Sequence, residues 1–271
     1  MGERLDAPRE AQAPLLLVTN DDGVYAPGLL ALVHALEPLG EVVVLAPEHN
    51  WSAAGHTKTM HKPLRVGEVT LSDGTRALAA SGSPSDCVAL ALLGVLERPP
   101  QLVLSGINLG ANVGHDLTYS GTVAAAMEAV IGGVPGIAIS LDTYEPADYT
   151  VAARFAAHLA GQVLREAPPQ PLLLNVNVPA LPEEEIRGVR VTRLGRRIYR
   201  DALDVRRDPR GRPYYWIGGG MPSGNVTEEG TDLWATDQGY VSITPIHLDM
   251  TAYAVMQEME EWGLAEVMPE A

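Results

Sequence analysis

Five short apolar runs alternate with longer Ala/Leu-rich stretches through roughly the first 180 residues of this chain, and that alternation constrains the fold more than any other feature. The runs are Leu15 to Thr19, Val42 to Ala46, Leu102 to Ser105, Gly136 to Ser140 and Leu172 to Val176. The helical stretches are Pro27 to Leu39, Pro84 to Leu96, Thr122 to Ile131 and Ala147 to Arg165. Pro27 and Pro84 suit a first helical turn, where a missing amide hydrogen is harmless. This is the pattern of an α/β protein, with a mostly parallel sheet covered by helices on both faces.

The remainder departs from that rhythm. Leu64 to Ala79 reads as short strands broken by Ser72-Asp73-Gly74-Thr75, a hairpin signal. After Pro182 come short strand-like pieces, clustered arginines and Gly218-Gly219-Gly220. They predict an extended C-terminal β arm, too thin to fold alone and therefore used in oligomerisation. Gly239 to Ile246 resembles one more strand, and Met250 to Trp262 a closing helix. The expected division is a core over residues 14–182, an extension over 183–271 and a loose tail over 1–13.

Composition narrows the function. At 271 residues and 46% hydrophobic, the chain can bury a substantial core. No apolar run approaches the roughly 20 residues of a membrane helix, and the charged first residues lack the apolar core of an export signal. Cys87 is the single cysteine, which precludes an internal disulfide and fits a reducing cytoplasm; its apolar surroundings mark it as a small buried hydrophobe. The formal charge of −15 is uneven: Arg187 to Arg212 holds ten of the nineteen basic residues against three acids, a net +7, leaving −22 elsewhere. An acidic body repels an anionic ligand at long range, so a phosphate substrate has to be attracted locally. The arginines read first as a solvated hairpin or an oligomer contact. Nucleic-acid binding through them is a weaker reading, because the acidic remainder opposes it.

Four loops carry the chemistry. Asn20-Asp21-Asp22-Gly23 puts two adjacent carboxylates just past the first strand, where open parallel sheets place their ligand crevice. A helix cap needs one acid, and the second is surplus. Two such neighbours repel unless a cation or a shared proton holds them together. The loop after the second strand offers Glu48, His49, Asn50, Ser52 and His56. Ser105-Gly106-Ile107-Asn108-Leu109-Gly110-Ala111-Asn112 supplies close backbone approach at its glycines and neutral amide oxygens at Asn108 and Asn112, although a plain glycine-rich turn is the alternative. Ser120, Gly121 and Thr122 open an alanine-rich helix whose N-terminal amides form an anion seat, or take only a hydroxyl cap. The set lacks thiolates and is rich in oxygen, so it suits Mg²⁺ or Mn²⁺ and phosphate-ester hydrolysis. Neither a Walker A loop nor the dinucleotide fingerprint stands at the first strand, which argues against a nucleoside triphosphatase or a dehydrogenase.

The words Thr19 to Gly28, Ala46-Pro47 with Ser52, Gly82-Ser83-Pro84-Ser85-Asp86-Cys87, Ser105 to Asn112, Tyr119 to Glu128 and Gly239 to Pro245 occur in the order of a known family. The chain resembles the survival protein E (SurE) family of metal-dependent nucleotide phosphatases. The resemblance implies a Rossmann-like core and a β extension exchanged between subunits of a homodimer or homotetramer. It also implies hydrolysis of nucleoside 5′- and 3′-monophosphates, with some activity on short polyphosphate. Carried over by position, one divalent cation would be held by Asp21, Asp22, Ser52 and Asn108, with Asn112, Ser120, Gly121 and Thr122 on the phosphate side. Asn20, Ser105 and Gly106 complete the expected substrate contacts. Glu48-His49-Asn50-Trp51-Ser52 departs from the family's more basic stretch while retaining the serine.

The expected mechanism is attack by activated water, with Asp21 or Asp22 orienting or deprotonating it and Asn112 stabilising charge on the phosphoryl oxygens. A rival uses one aspartate as a covalent nucleophile. His56 and His247 are candidates for the leaving-group acid. A non-enzymatic nucleotide-binding sensor is the alternative from a different class.

Overall fold

The structure is a computed structural model that describes residues 13–198, 201–219 and 223–262. Most of the expected 1–13 tail lies outside the described residues. The first half runs β1 (Leu15–Thr19), α1 (Pro27–Leu36), β2 (Glu41–Pro47), β3 (Val66–Thr70), β4 (Arg76–Ala80), α2 (Pro84–Leu90), β5 (Leu102–Leu109) and α3 (Gly121–Ile131). It continues through β6 (Gly136–Asp142), α4 (Thr150–Glu166), β7 (Leu173–Pro179), β8 (Val189–Val191), β9 (Arg197–Ile198), β10 (Asp201–Arg207) and β11 (Pro213–Gly219). The described residues end with β12 (Ser223–Gly224), α5 (Asp232–Asp237), β13 (Val241–Ile246) and α6 (Tyr253–Glu260).

Nine strands form one sheet in the order β3-β4-β2-β1-β5-β6-β7-β13-β8. The stretch from β4 to β7 is parallel throughout, and β3 and β13 pair antiparallel to β4 and β7. Successive residues of β1 are buried on opposite faces. Leu16 and Val18 join Leu29, Leu32 and Leu36 of α1 and Ala156 and Ala160 of α4, whereas Leu17 joins Cys87 and Val88 of α2 and Ala125 and Ala129 of α3. Being buried on both faces is why the central strands read as unbroken apolar runs. Cys87 is the buried hydrophobe its surroundings indicated, and burial pushes its thiol pKa up.

β1 pairs with β2 on one side and with β5 on the other, so the chain changes direction along the sheet at β1. A crevice opens at such a switch point, beyond the carboxyl ends of the strands. The loops after β1, β2 and β5 all leave from that end.

Several boundaries differ from the sequence expectation for local reasons. The helix expected to reach Leu96 is regular only to Leu90, and a wider turn follows in which Gly94 adopts φ 113°, incompatible with helix. The helix expected from Ala147 starts at Thr150, because Asp148 Oδ1 accepts from the Thr150 amide at 2.8 Å in a local turn that competes with helix. β5 runs four residues beyond Ser105, with a register shift against β6 between Ser105 and Asn108. The arm expected after Pro182 is seen as the antiparallel β10-β11 pair, a separate two-stranded sheet exposing Leu203, Val205, Tyr215, Trp216 and Ile217. β8 and β13, from the same C-terminal part, extend the main sheet.

Candidate active site

The turn after β1 is set by Asn20. Its side-chain amide donates to the Gly23 carbonyl at 2.9 Å and accepts from the Gly23 amide at 3.2 Å, and Gly23 sits at φ 100°, which its missing Cβ permits. This closure aims the two following carboxylates in different directions. Asp21 is buried and faces a polar cavity of about 330 Å³, which also presents Ser52, Asn108, Asn112 and Ser120. Asp22 lines a neighbouring cleft of about 570 Å³ with Tyr25, Glu48, His49, Asn50, Leu109 and Tyr149.

Asp21 is held from α3. The Thr122 hydroxyl and the amides of Gly121 and Thr122 hydrogen-bond its carboxylate. The positive end of the α3 dipole and its free amides are therefore directed at Asp21. Burial raises the Asp21 pKa, and these three donors pull against that rise. Gly121 is required here, because a Cβ at that position would stand 2.8 Å from the Asp21 Cβ. Asp22 is raised from 3.8 to about 6, first by burial and then by the charge on Asp21, with the Leu109 amide opposing. Asn50 Nδ2 also donates to Asp22 Oδ1 at 3.3 Å, and Asn50 Oδ1 accepts from the Ser52 amide at 2.7 Å. One asparagine thus ties the β2 loop to the carboxylate pair.

That loop is anchored further along. The Trp51 amide donates to the Asp21 carbonyl at 2.7 Å, and the Gly55 amide to the Tyr119 carbonyl at 2.9 Å. His56 and Lys58 both contact the buried Glu128 of α3, at 3.0 and 2.7 Å. His56 is committed to this clamp and lines neither cavity, and His247 is exposed on the far end of β13. His49 is the imidazole that lines the cleft.

Asn108 Nδ2 donates to the Gly110 carbonyl at 2.7 Å, which turns Oδ1 away as an available acceptor. Asn112 is fixed on every side: its amide nitrogen donates to Asn177 Oδ1 at 2.8 Å, its Nδ2 to Ser140 Oγ at 2.9 Å, and its carbonyl accepts from Asn175 and Asn177. Asn175 and Asn177 alternate with apolar residues in β7, and nothing local in the sequence marks them as supports for a loop 63 residues away. Ser120 caps α3, accepting from the Val123 amide at 3.1 Å. Arg197 was visible only as one of many arginines. It holds two residues of the polar cavity's lining, with Nε 3.2 Å from Asp116 Oδ2 and a guanidinium nitrogen 3.2 Å from the Tyr144 hydroxyl.

Asp21, Ser52, Asn108, Asn112 and Ser120 are therefore brought together around one cavity, with Asp22 on its other flank. Gly121 and Thr122 stand behind Asp21, and their donors are used by it. Asn20, Ser105 and Gly106 are fully buried and line neither cavity. The oxygens of Asp21, Ser52 and Asn108 on the cavity, with Asp22 beside them, fit a hard dication: two carboxylates whose mutual repulsion a positive charge would relieve, a hydroxyl and an amide carbonyl. Among the described residues no group of three or more His, Cys, Asp and Glu is assembled, so the neutral oxygens of Ser52 and Asn108 have to complete such a set.

The family model for survival protein SurE matches residues 16–201. The chain belongs to the SurE family. Among SurE relatives, a protein of Chloroflexus aggregans named 5′-nucleotidase SurE is 54% identical, over 91% of this chain and 98% of the relative. One of Herpetosiphon aurantiacus with the same name is 57% identical, over 87% and 93%. The SurE protein of Aquifex aeolicus, known from a crystal structure, superposes with a TM-score of 0.78 at 44% identity, covering 92% of this chain and 99% of that one. The likeness to SurE proteins spans the parallel sheet and all four chemistry-bearing loops. Among the described residues no helix is long and apolar enough to cross a membrane.

Proposed function

We propose that this chain is a divalent-metal-dependent phosphomonoesterase that hydrolyses nucleoside 5′- and 3′-monophosphates to nucleoside and phosphate, with short polyphosphate as a further substrate. The single observation that carries the reading is the grouping of Asp21, Ser52 and Asn108 around one cavity at the β1 switch point, with Asp22 on its flank. It is supported by relatives named 5′-nucleotidase. These four residues would hold one Mg²⁺ or Mn²⁺ per subunit. When bound, that ion supplies charge to polarise a phosphoryl oxygen and to acidify water.

The rest of the work falls to the chain. Asp21, held by its α3 donors, binds, while Asp22, on the flank of the cavity with its pKa raised to about 6, orients the attacking water and takes its proton. Asn112, locked by Ser140, Asn175 and Asn177, and the Ser120 hydroxyl bound the phosphate side. Asn20, Gly121 and Thr122 act through the turn and the carboxylate they position. Arg197 offsets the charge of Asp116 in the cavity's lining.

The exposed apolar faces of the β10-β11 arm fit pairing with a second copy, and we assign the protein as a homodimer or homotetramer. Its single cysteine and acidic composition fit the cytoplasm. The test is phosphate release from a panel of nucleoside 5′- and 3′-monophosphates with added Mn²⁺. Turnover with a preference for nucleotides supports the reading. Nucleotide binding without release would favour the sensor instead, and a phospho-aspartate trapped for mass spectrometry would replace water attack with covalent catalysis.

A further inference from the structure

The two cavities beside the carboxylate pair differ in character. The Asp21 side is walled by the carboxylates of Asp21 and Asp116 and by hydroxyls and amides. The Asp22 side is larger, about 570 Å³, and is walled mainly by Tyr25, Pro27, Leu109, Pro146 and Tyr149, with Asp22, Glu48, His49 and Asn50 as its polar lining. Leu109 belongs to both, so the spaces are neighbours across one side chain. A phosphomonoester likewise has a charged end and an end of different chemistry, and only the polar cavity offers what a phosphoryl group needs.

The structure assigns the Asp22-side cleft as the seat of the nucleoside, with the rings of Tyr25 and Tyr149 as the surfaces against which the base packs. The assignment rests on the nucleotidase reading for the identity of the ligand. Its volume lies within the roughly 300–1,000 Å³ of small-molecule sites, and its lining is the expected mixture of apolar walls and few polar groups. Every base has a π face, so aromatic walls accept purines and pyrimidines alike. Tyr25 is 65% exposed, an aromatic side chain of the cleft's lining with much of its surface uncovered. Tyr149 is set by close packing: a Cβ on Gly28 would come within 2.9 Å of its Cε1. Glycine at 28 lets the N-terminus of α1 and this ring approach each other.

The test measures adenosine binding to the full chain by calorimetry in EDTA, where neither phosphate nor metal contributes. It also measures the ratio of kcat/KM for 5′-AMP to that for ribose 5-phosphate in Mn²⁺. The expected result is adenosine binding that weakens about tenfold in Tyr25→Ala and in Tyr149→Leu, with the ratio falling by a similar factor. Tyr149→Phe, which keeps the ring, restores both and excludes misfolding. Adenosine binding that is absent, or indifferent to both substitutions, or a ratio unchanged within twofold, would overturn the assignment. If neither phosphate ester is hydrolysed while adenosine binding still depends on the two tyrosines, the nucleotidase reading falls and the nucleoside seat stands.

Discussion

The Thr122 hydroxyl donates a hydrogen bond to Asp21 Oδ1, joining residues 101 apart in sequence. The link ties the first turn of α3 to the end of β1, and the Gly121 and Thr122 amides reinforce it. What reads in sequence as an anion seat for substrate is filled in the fold by the protein's own carboxylate. The carboxylate is thereby fixed at the edge of the polar cavity, and the burial cost to Asp21 is partly offset by three donors.

Thr122→Val removes the hydroxyl while keeping the side-chain shape. Outer partners of metal ligands typically matter by roughly 10–100-fold in affinity or activity. Titration of Mn²⁺ into the variant should show a loss in that range, with Thr122→Ser close to wild type.

The pH dependence of the metal-free protein follows from Asp22, whose pKa in the fold is about 6 against the usual 3.8. Between those values the folded state holds more protons than the unfolded one, so this group's contribution to stability is lost as pH rises from about 4 to 6. In EDTA, the Tm of Asp22→Asn relative to wild type should therefore increase across that window and level off above it. Thermal unfolding at several pH values checks this. For the same reason, apparent Mn²⁺ affinity of the wild type should fall as pH drops below about 6, because protons compete for the site.

Asp232 is buried and accepts from the amides of Gly114, Gly195 and Leu233 at 2.7, 2.7 and 2.9 Å. It fastens the segment before α3 to the segment entering β9. Asp232→Ala leaves three buried donors unpaired, at a cost of about 2–3 kcal/mol. For a chain of this size that should lower Tm by roughly 4–10 °C in calorimetry.

The fold was legible because its signals are local. β1 to the Asn20-Gly23 turn to α1 is written as an apolar run, two acids, a glycine and a proline, and each residue's intrinsic preference agrees with its place. The chemistry-bearing loops were legible for the same reason, since each follows a strand or opens a helix. What stayed hidden lies in pairings across the chain: Asn112 with Asn177, Glu128 with Lys58, Arg197 with Asp116, and the partition of Asp21 and Asp22 between two cavities. Such contacts are fixed by strand order and helix packing, which no window of sequence encodes. The helix beginning at Thr150 instead of Ala147 shows the same limit on a small scale, because a single Asp148 side chain decided it.

The most direct measurement is a calorimetric titration of Mn²⁺ into chelator-stripped protein, wild type beside Asp22→Asn, with phosphate release from 5′-AMP followed in the same samples. The account predicts one site per chain in the wild type, at least a hundredfold weaker binding in the variant, and phosphate release that rises with occupancy of that site. Equal binding in the two proteins, or release that continues undiminished in EDTA, would contradict it.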